Sequence, residues 1–190
     1  MSDTETHLHY RLRDEVVWVK ISGRANCMVG TDFLALVNGF RELGRKQFSL
    51  DLRDCVVMDS SFLGTLAWLE QDLGTGALKH GTYAILLAHP NGRVTDLIRS
   101  LGLDEFFKLT SGPVDFPEDW IPIPPTAARS SSATCSQISL DAHEVIVRLN
   151  PANEPKFRDV MDFLREEVER EKQPKPVPPP KDKDAGSNPG

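Results

Sequence analysis

The chain has 190 residues, 39% of them hydrophobic and 26% charged, with a formal net charge of −6. That is enough for one ordinary packed domain plus an appendage. The absence of any Lys/Arg cluster excludes the electrostatic footprint of a nucleic-acid binder. The longest apolar runs, at 16–19 and 84–88, are far too short to cross a membrane, so no membrane insertion is expected. The segment from Met1 to His9 is polar and acidic and lacks the apolar stretch of a secretory signal, which points to a cytoplasmic protein. Cys27, Cys55 and Cys135 offer neither a disulfide framework nor metal-ligand spacing. Cys27 and Cys55, among apolar neighbours, read as small core residues.

The elements alternate in type along the chain. Residues 8–13 alternate as a modest strand, Asp14-Glu15 make a tight turn, and Val16 to Ile21 is a β-branched strand. From Thr31 to Gly44, apolar residues at 33, 34, 36, 37, 40 and 43 form a helical stripe. Residues 48–52 alternate as a strand. Ser61 to Leu78 places Leu63, Leu66, Leu69 and Leu73 on one helical face. Thr82 to Ala88 is an apolar run of the kind buried on both faces of a sheet. Val94, Leu97, Ile98 and Leu101 mark a short helix, and residues 106–109 a last short strand. The order β-β-α-β-α-β-α implies an α/β domain, a mixed sheet with helices packed on it.

Proline marks the end of that domain. Of 14 prolines, 13 lie after residue 112, and proline removes a backbone donor and restricts its neighbours. The compact domain is therefore expected over 7–111 and a Pro/Ser-rich linker over 112–138, pinned to the domain through Trp120. A helical hairpin follows over 139–172, and a disordered tail over 173–190. Within the hairpin, Leu140, Val145, Ile146 and Leu149 precede a break at Pro151, and Phe157, Val160, Met161, Leu164 and Val168 follow at helical spacing. One hairpin cannot bury its stripe alone. It packs on the domain, on a second copy of the chain by self-association, or on a partner.

Few residues suggest chemistry. The five histidines, 7, 9, 80, 89 and 143, are scattered and read as exposed, with no metal site. Gly74-Thr75-Gly76 lacks the Lys-Ser/Thr of a phosphate loop. Asp51 and Asp54 flank Arg53, which reads as surface salt-bridging. No catalytic constellation appears, so neither an enzyme nor a cofactor is expected. The informative stretch is Leu50 to Leu66, where a strand runs into Asp59-Ser60-Ser61 and opens an amphipathic helix. On local chemistry alone the triplet is a helix cap, because Asp and Ser oxygens accept bonds from unpaired N–H groups.

Met58-Asp59-Ser60-Ser61, followed by Leu63 and Gly64, resembles the core motif of STAS domains, the fold of bacterial anti-sigma factor antagonists. The turn at Gly23 to Asn26, the strand at 82–88, the helix from Val94 to Leu101 and the closing Leu101-Gly102-Leu103 with Phe106-Phe107 resemble the later family pattern. The resemblance covers about residues 8–110. It implies a phosphorylation-controlled binding switch with Ser60 as phosphoacceptor and Ser61 as second choice. Asp59 would cap and position the helix, and Asn26, Phe62, Leu63 and Thr65 would dock the partner. The implied partners are an anti-sigma factor serine kinase, which the unphosphorylated form sequesters to free a sigma factor, and a PP2C-type phosphatase that resets the switch. Two positions depart from the family pattern: Phe62 stands where Gly is common, and Asn26 near the place of an Asp. The rival reading is a constitutive structural STAS subunit of a larger signalling or transporter assembly, favoured by the extra hairpin.

Overall fold

The computed structural model describes residues 6–73, 83–126 and 131–172. Strand β1 (His7–Arg13) turns back into β2 (Val16–Ala25) across Asp14-Glu15. Both turn residues have positive φ, 49° and 70°, the twist that suits a two-residue hairpin. Helix α1 (Cys27–Glu42) leads to β3 (Gln47–Asp51), β4 (Cys55–Met58) and α2 (Ser60–Asp72). After β5 (Ile85–Ala88) come α3 (Gly92–Ser100), β6 (Lys108–Thr110) and β7 (Ile121–Ile123). Helices α4 (Ser132–Leu149) and α5 (Glu154–Lys172), joined by a 3₁₀ turn at Pro151–Asn153, complete the described chain. The fold is α/β with a mixed sheet, as the alternation implies.

The sheet runs β6-β5-β3-β2-β1-β7, parallel from β6 to β2 and antiparallel at β1 and β7. Pairing sets Val17 against Phe48 and Val19 against Leu50, then Phe48 against Ile85 and Leu50 against Leu87. All six side chains are buried on one face of the sheet. Phe33, Phe62, Leu66, Val94 and Ile98 of α1, α2 and α3 complete that interior. At Gly23 (φ 92°) the β2 register shifts. A bulge there re-aims the end of β2, which now pairs with β4 and fixes where α2 begins.

The segment after the domain is tied down more firmly than a linker. Phe116 lies edge-on to Trp18 and under the Arg53 guanidinium at 3.8 Å, on the side of the sheet away from the helices. Asp119 pairs with Arg11, and β7 adds to the β1 edge. Thr126 N–H then donates to the buried Asp32 of α1 at 2.7 Å. Phe116 makes these ring contacts, and Trp120, expected to pin the segment, is half-buried like it.

The helix expected from 139 starts at Ser132, seven residues earlier, capped by Ser131 Oγ accepting from Thr134 N. Residues 132–138, expected as linker, are its first two turns. The last strand is shifted to Lys108–Thr110. The expected helical residues 74–78, Gly74-Thr75-Gly76, His80 and the tail 173–190 lie outside the described residues. Among the described residues no helix is long and apolar enough to cross a membrane.

Candidate functional site

Strand β4 continues its pairing one residue beyond Met58, with Asp59 N–H donating to Ala25 O at 2.9 Å. Asp59 is extended (φ −99°, ψ 171°) and its Oδ1 accepts from Phe62 N at 2.9 Å. The carboxylate therefore caps α2, leaving Ser60 as the first helical residue. Ser61 is buried, and its carbonyl accepts from Thr65 Oγ1 at 2.9 Å.

Helix α4 lies across α2. The approach is closest at Gly64, where a Cβ would stand 2.4 Å from the Ala142 carbonyl oxygen. Glycine at 64 is thus required by the neighbouring backbone, not by the helix. One residue along α4, His143 sets Nε2 2.8 Å from Ser60 Oγ, within hydrogen-bond distance. The imidazole stacks on Phe157 of α5 with centroids 4.6 Å apart. Burial lowers its pKa from the ordinary value, opposed in part by the Ser139 carbonyl one turn back. A neutral ring is what this half-apolar pocket favours.

Four further hydrogen bonds seat the hairpin. Arg148 donates to Gln71 of α2 at 2.9 Å. At the hairpin turn, Asn150 Nδ2 and Asn153 Nδ2 both donate to Leu101 O, at 3.0 and 2.8 Å, and Lys156 Nζ donates to Ser100 O at 2.7 Å. The carbonyls at the end of α3 are thereby capped by another element, as helix ends require. At the opposite end, a disulfide joins Cys27 of α1 to Cys135 of α4. Val145 and Ile146 enter the main core, while Leu140, Met161, Leu164 and Val168 form a small core within the hairpin.

These placements correct several expectations. Phe62 and Leu63 are wholly buried, with Phe62 against Phe33 at 5.5 Å, so they are core residues and cannot dock a partner. Asn26 caps α1, its Oδ1 accepting from Val29 N at 3.2 Å. Thr65 is buried and lines a cleft with Leu34, Trp68 and Val145, filled on one side by α4. His143 is buried, not exposed. Cys27 and Cys135 are paired, which the cysteine spacing did not suggest, and Cys27 is only half-buried. The carboxylates beside Arg53 are split: Asp51 takes the guanidinium in a two-pronged pair, while Asp54 pairs with Lys20. Sequence reasoning missed His143, Phe157 and the Asn150/Asn153/Lys156 clamp. The one available signal was a histidine set among Leu140, Val145 and Ile146.

The site combines a hydroxyl at a helix N-terminus, where free N–H groups and the helix dipole accommodate an anion, with a helical cover. His143 Nε2 engages the Ser60 hydroxyl, which stays half-buried. No carboxylate hydrogen-bonds to the His143 ring among the described residues, so the Ser–His pair lacks the third member of a hydrolytic triad.

No protein-family model matches the chain, and no curated protein matches it at a significant level. Among solved structures it is similar to a Thermotoga maritima protein provisionally assigned as an anti-sigma factor antagonist, seen by crystallography. The two are 23% identical with a TM-score of 0.47, over 54% of this chain and 85% of that one. The solution structure of the Thermotoga maritima protein gives 24% identity and a TM-score of 0.45, over 53% of this chain and 78% of that one.

Proposed function

We propose that this chain is a STAS-type protein-binding switch of the anti-sigma factor antagonist class, with Ser60 as its phosphoacceptor. The observation that carries the reading is the Asp59 cap, which sets the Ser60 hydroxyl at the start of α2 facing the chain's own α4. Ser61 is the poorer acceptor because it is buried. A phosphate on Ser60 adds about −1.5 to −2 charge and three acceptor oxygens. The helix N-terminus tolerates it, so the fold survives while the docking face changes sign. The partner class is a serine kinase that is itself the anti-sigma factor, with a PP2C-type phosphatase to reset the switch, in the cytoplasm. The chain performs no catalysis in this scheme. Ser60→Asp should lose a kinase that wild type and Ser60→Ala both capture from host lysate, and intact mass should rise by one phosphate on wild type only. Equal capture by all three, with no added phosphate, would reject the switch.

A second reading rests on the hairpin. With His143 hydrogen-bonded to Ser60, the docked hairpin engages the serine within the chain, which would then serve as a constitutive STAS subunit of a larger assembly. The same capture experiment decides, since an assembly subunit keeps its partners whatever stands at 60.

A further inference from the structure

Cys27 opens α1 and Cys135 lies in the first turn of α4, 108 residues later, joined by a disulfide. Both are half-buried, so the bond is within reach of a small reductant or a protein dithiol. Cys55 is different: it is buried, and desolvation pushes its thiol up to about 11. It is therefore a poor nucleophile and a poor competitor in exchange. The cross-link holds the start of α4 on α1. His143 sits eight residues further on, roughly two helical turns or about 12 Å, and there it covers Ser60. The remaining attachments of the hairpin are non-covalent: Val145 and Ile146 in the core with Leu149 and Phe157 packed against it, the close approach at Gly64, the Arg148–Gln71 and Ser60–His143 hydrogen bonds, and the Asn150/Asn153/Lys156 clamp. Met161, Leu164 and Val168 pack on Leu140 within the hairpin and travel with it.

We propose that the Cys27–Cys135 disulfide is a reversible latch on the hairpin, and that a dithiol reductant releases α4 and α5 from α2 and uncovers Ser60. A thiolate of the reductant attacks one sulfur of the pair, the S–S bond breaks, and the departing cysteine thiolate takes up a proton. The second thiol of the reductant then attacks the mixed disulfide and frees the other cysteine. Two electrons and two protons pass to the protein, and the reductant leaves as its own disulfide. A disulfide acts chiefly by restricting open states; here the restricted state is the detached hairpin with the sheet still folded. The docked hairpin holds the Ser60 hydroxyl in a hydrogen bond to His143, so the latch would set how freely the serine is presented. That last consequence rests on the switch reading; the latch itself does not.

Hydrogen exchange on the full chain, with and without dithiothreitol, tests it without any kinase. Alkylation with iodoacetamide of the native protein should add two adducts after reduction and none before, since Cys55 is buried. Amides of α4, α5 and the first turn of α2 should exchange about 30-fold faster on reduction, with β2, β3 and β5 unchanged. Cys27→Ser and Cys135→Ser should each match reduced wild type. If either variant loses protection in the sheet as well, oxidised against reduced wild type decides. Three free thiols in unreduced denatured protein, or equal exchange in both redox states, would overturn the latch. Accelerated exchange with Ser60 still refractory to its kinase upholds the latch and rejects the phosphorylation reading.

Discussion

The sheet domain and the C-terminal hairpin are held by different physics. In the domain, residues from five strands and three helices share one continuous apolar interior, with Phe33, Phe48, Phe62 and Ile85 wholly buried. Its polar interior groups also cross-brace it: the buried Glu70 of α2 accepts from Ala84 and Ile85 N–H at 3.0 and 2.7 Å, locking a helix to a strand. The hairpin commits only Val145 and Ile146 fully to that interior, with Leu149 and Phe157 in part. It otherwise lies along α2 in close contact at Gly64 and Ala142, and holds on through Arg148–Gln71, the polar clamp at its turn, one Ser–His hydrogen bond and one covalent bond. An interior of that size is lost or kept as a unit, whereas a few discrete attachments can be removed one at a time.

The contrast is broken most strongly at Phe62. Truncation to Ala removes a wholly buried aromatic from the shared interior, and such changes cost about 3–5 kcal/mol. Denaturant titration should show the domain and hairpin weakened together. A Phe62→Ala protein of unchanged stability with impaired partner capture would mean that Phe62 is a docking residue after all.

Gly64 separates the two regions. Valine there would drive its side chain into the Ala142 backbone, which cannot rotate away. Overpacking of this kind costs about 1–3 kcal/mol, and displacing α4 relieves it. The expected result is faster proteolysis and exchange across 132–172 with the sheet protected. Loss of protection in β3 and β5 as well would show that the hairpin is an integral part of the core.

Asn153→Ala tests the clamp at the other end. The side chain is wholly buried and bonded to Leu101 O and Lys156 Nζ. Its loss should cost roughly 1–2 kcal/mol, felt in α5 before α4. Uniform loss across the whole molecule would place Asn153 in the folding core of the domain.

How far the sequence disclosed this arrangement follows the same division. Strand alternation, the Asp14-Glu15 turn, and the cap at Asp59 are local signals, and each element they define stands close to where it was expected. Strand β7 was hidden because Pro122 lies in its middle; a proline is tolerated only where no neighbour needs its N–H, at an edge, and β7 is the edge beside β1. The start of α4 was hidden because Ser132, Thr134 and Ser136 are poor helix-interior residues, and the helix there is sustained by the α1 and α2 surfaces and by Cys27. The burial of Phe62 depends on where α1 crosses α2. The Cys27–Cys135 and Ser60–His143 pairs depend on how the hairpin folds back, 108 and 83 residues along the chain. The serine of the candidate site was thus legible from its motif, but its cover was not.

Acid probes the smallest difference between the two regions. Burial lowers the pKa of His143 in the docked state, so the undocked or unfolded chain binds a proton more readily. Docking is therefore fully favoured above the unperturbed value near 6.5. It weakens as pH falls through that value toward the lower docked-state pKa, where the loss is complete. His9 is also held low, by burial first and then by His7 and Lys20, but it lies in β1 and reports on the sheet. Exchange of α4 and α5 amides, corrected for intrinsic chemistry, should therefore rise between pH 7.5 and pH 5 in wild type. His143→Gln should flatten that slope while leaving the acid response of β1 intact. An unchanged α4 slope in His143→Gln would assign the acid sensitivity to some group other than the ring that covers Ser60.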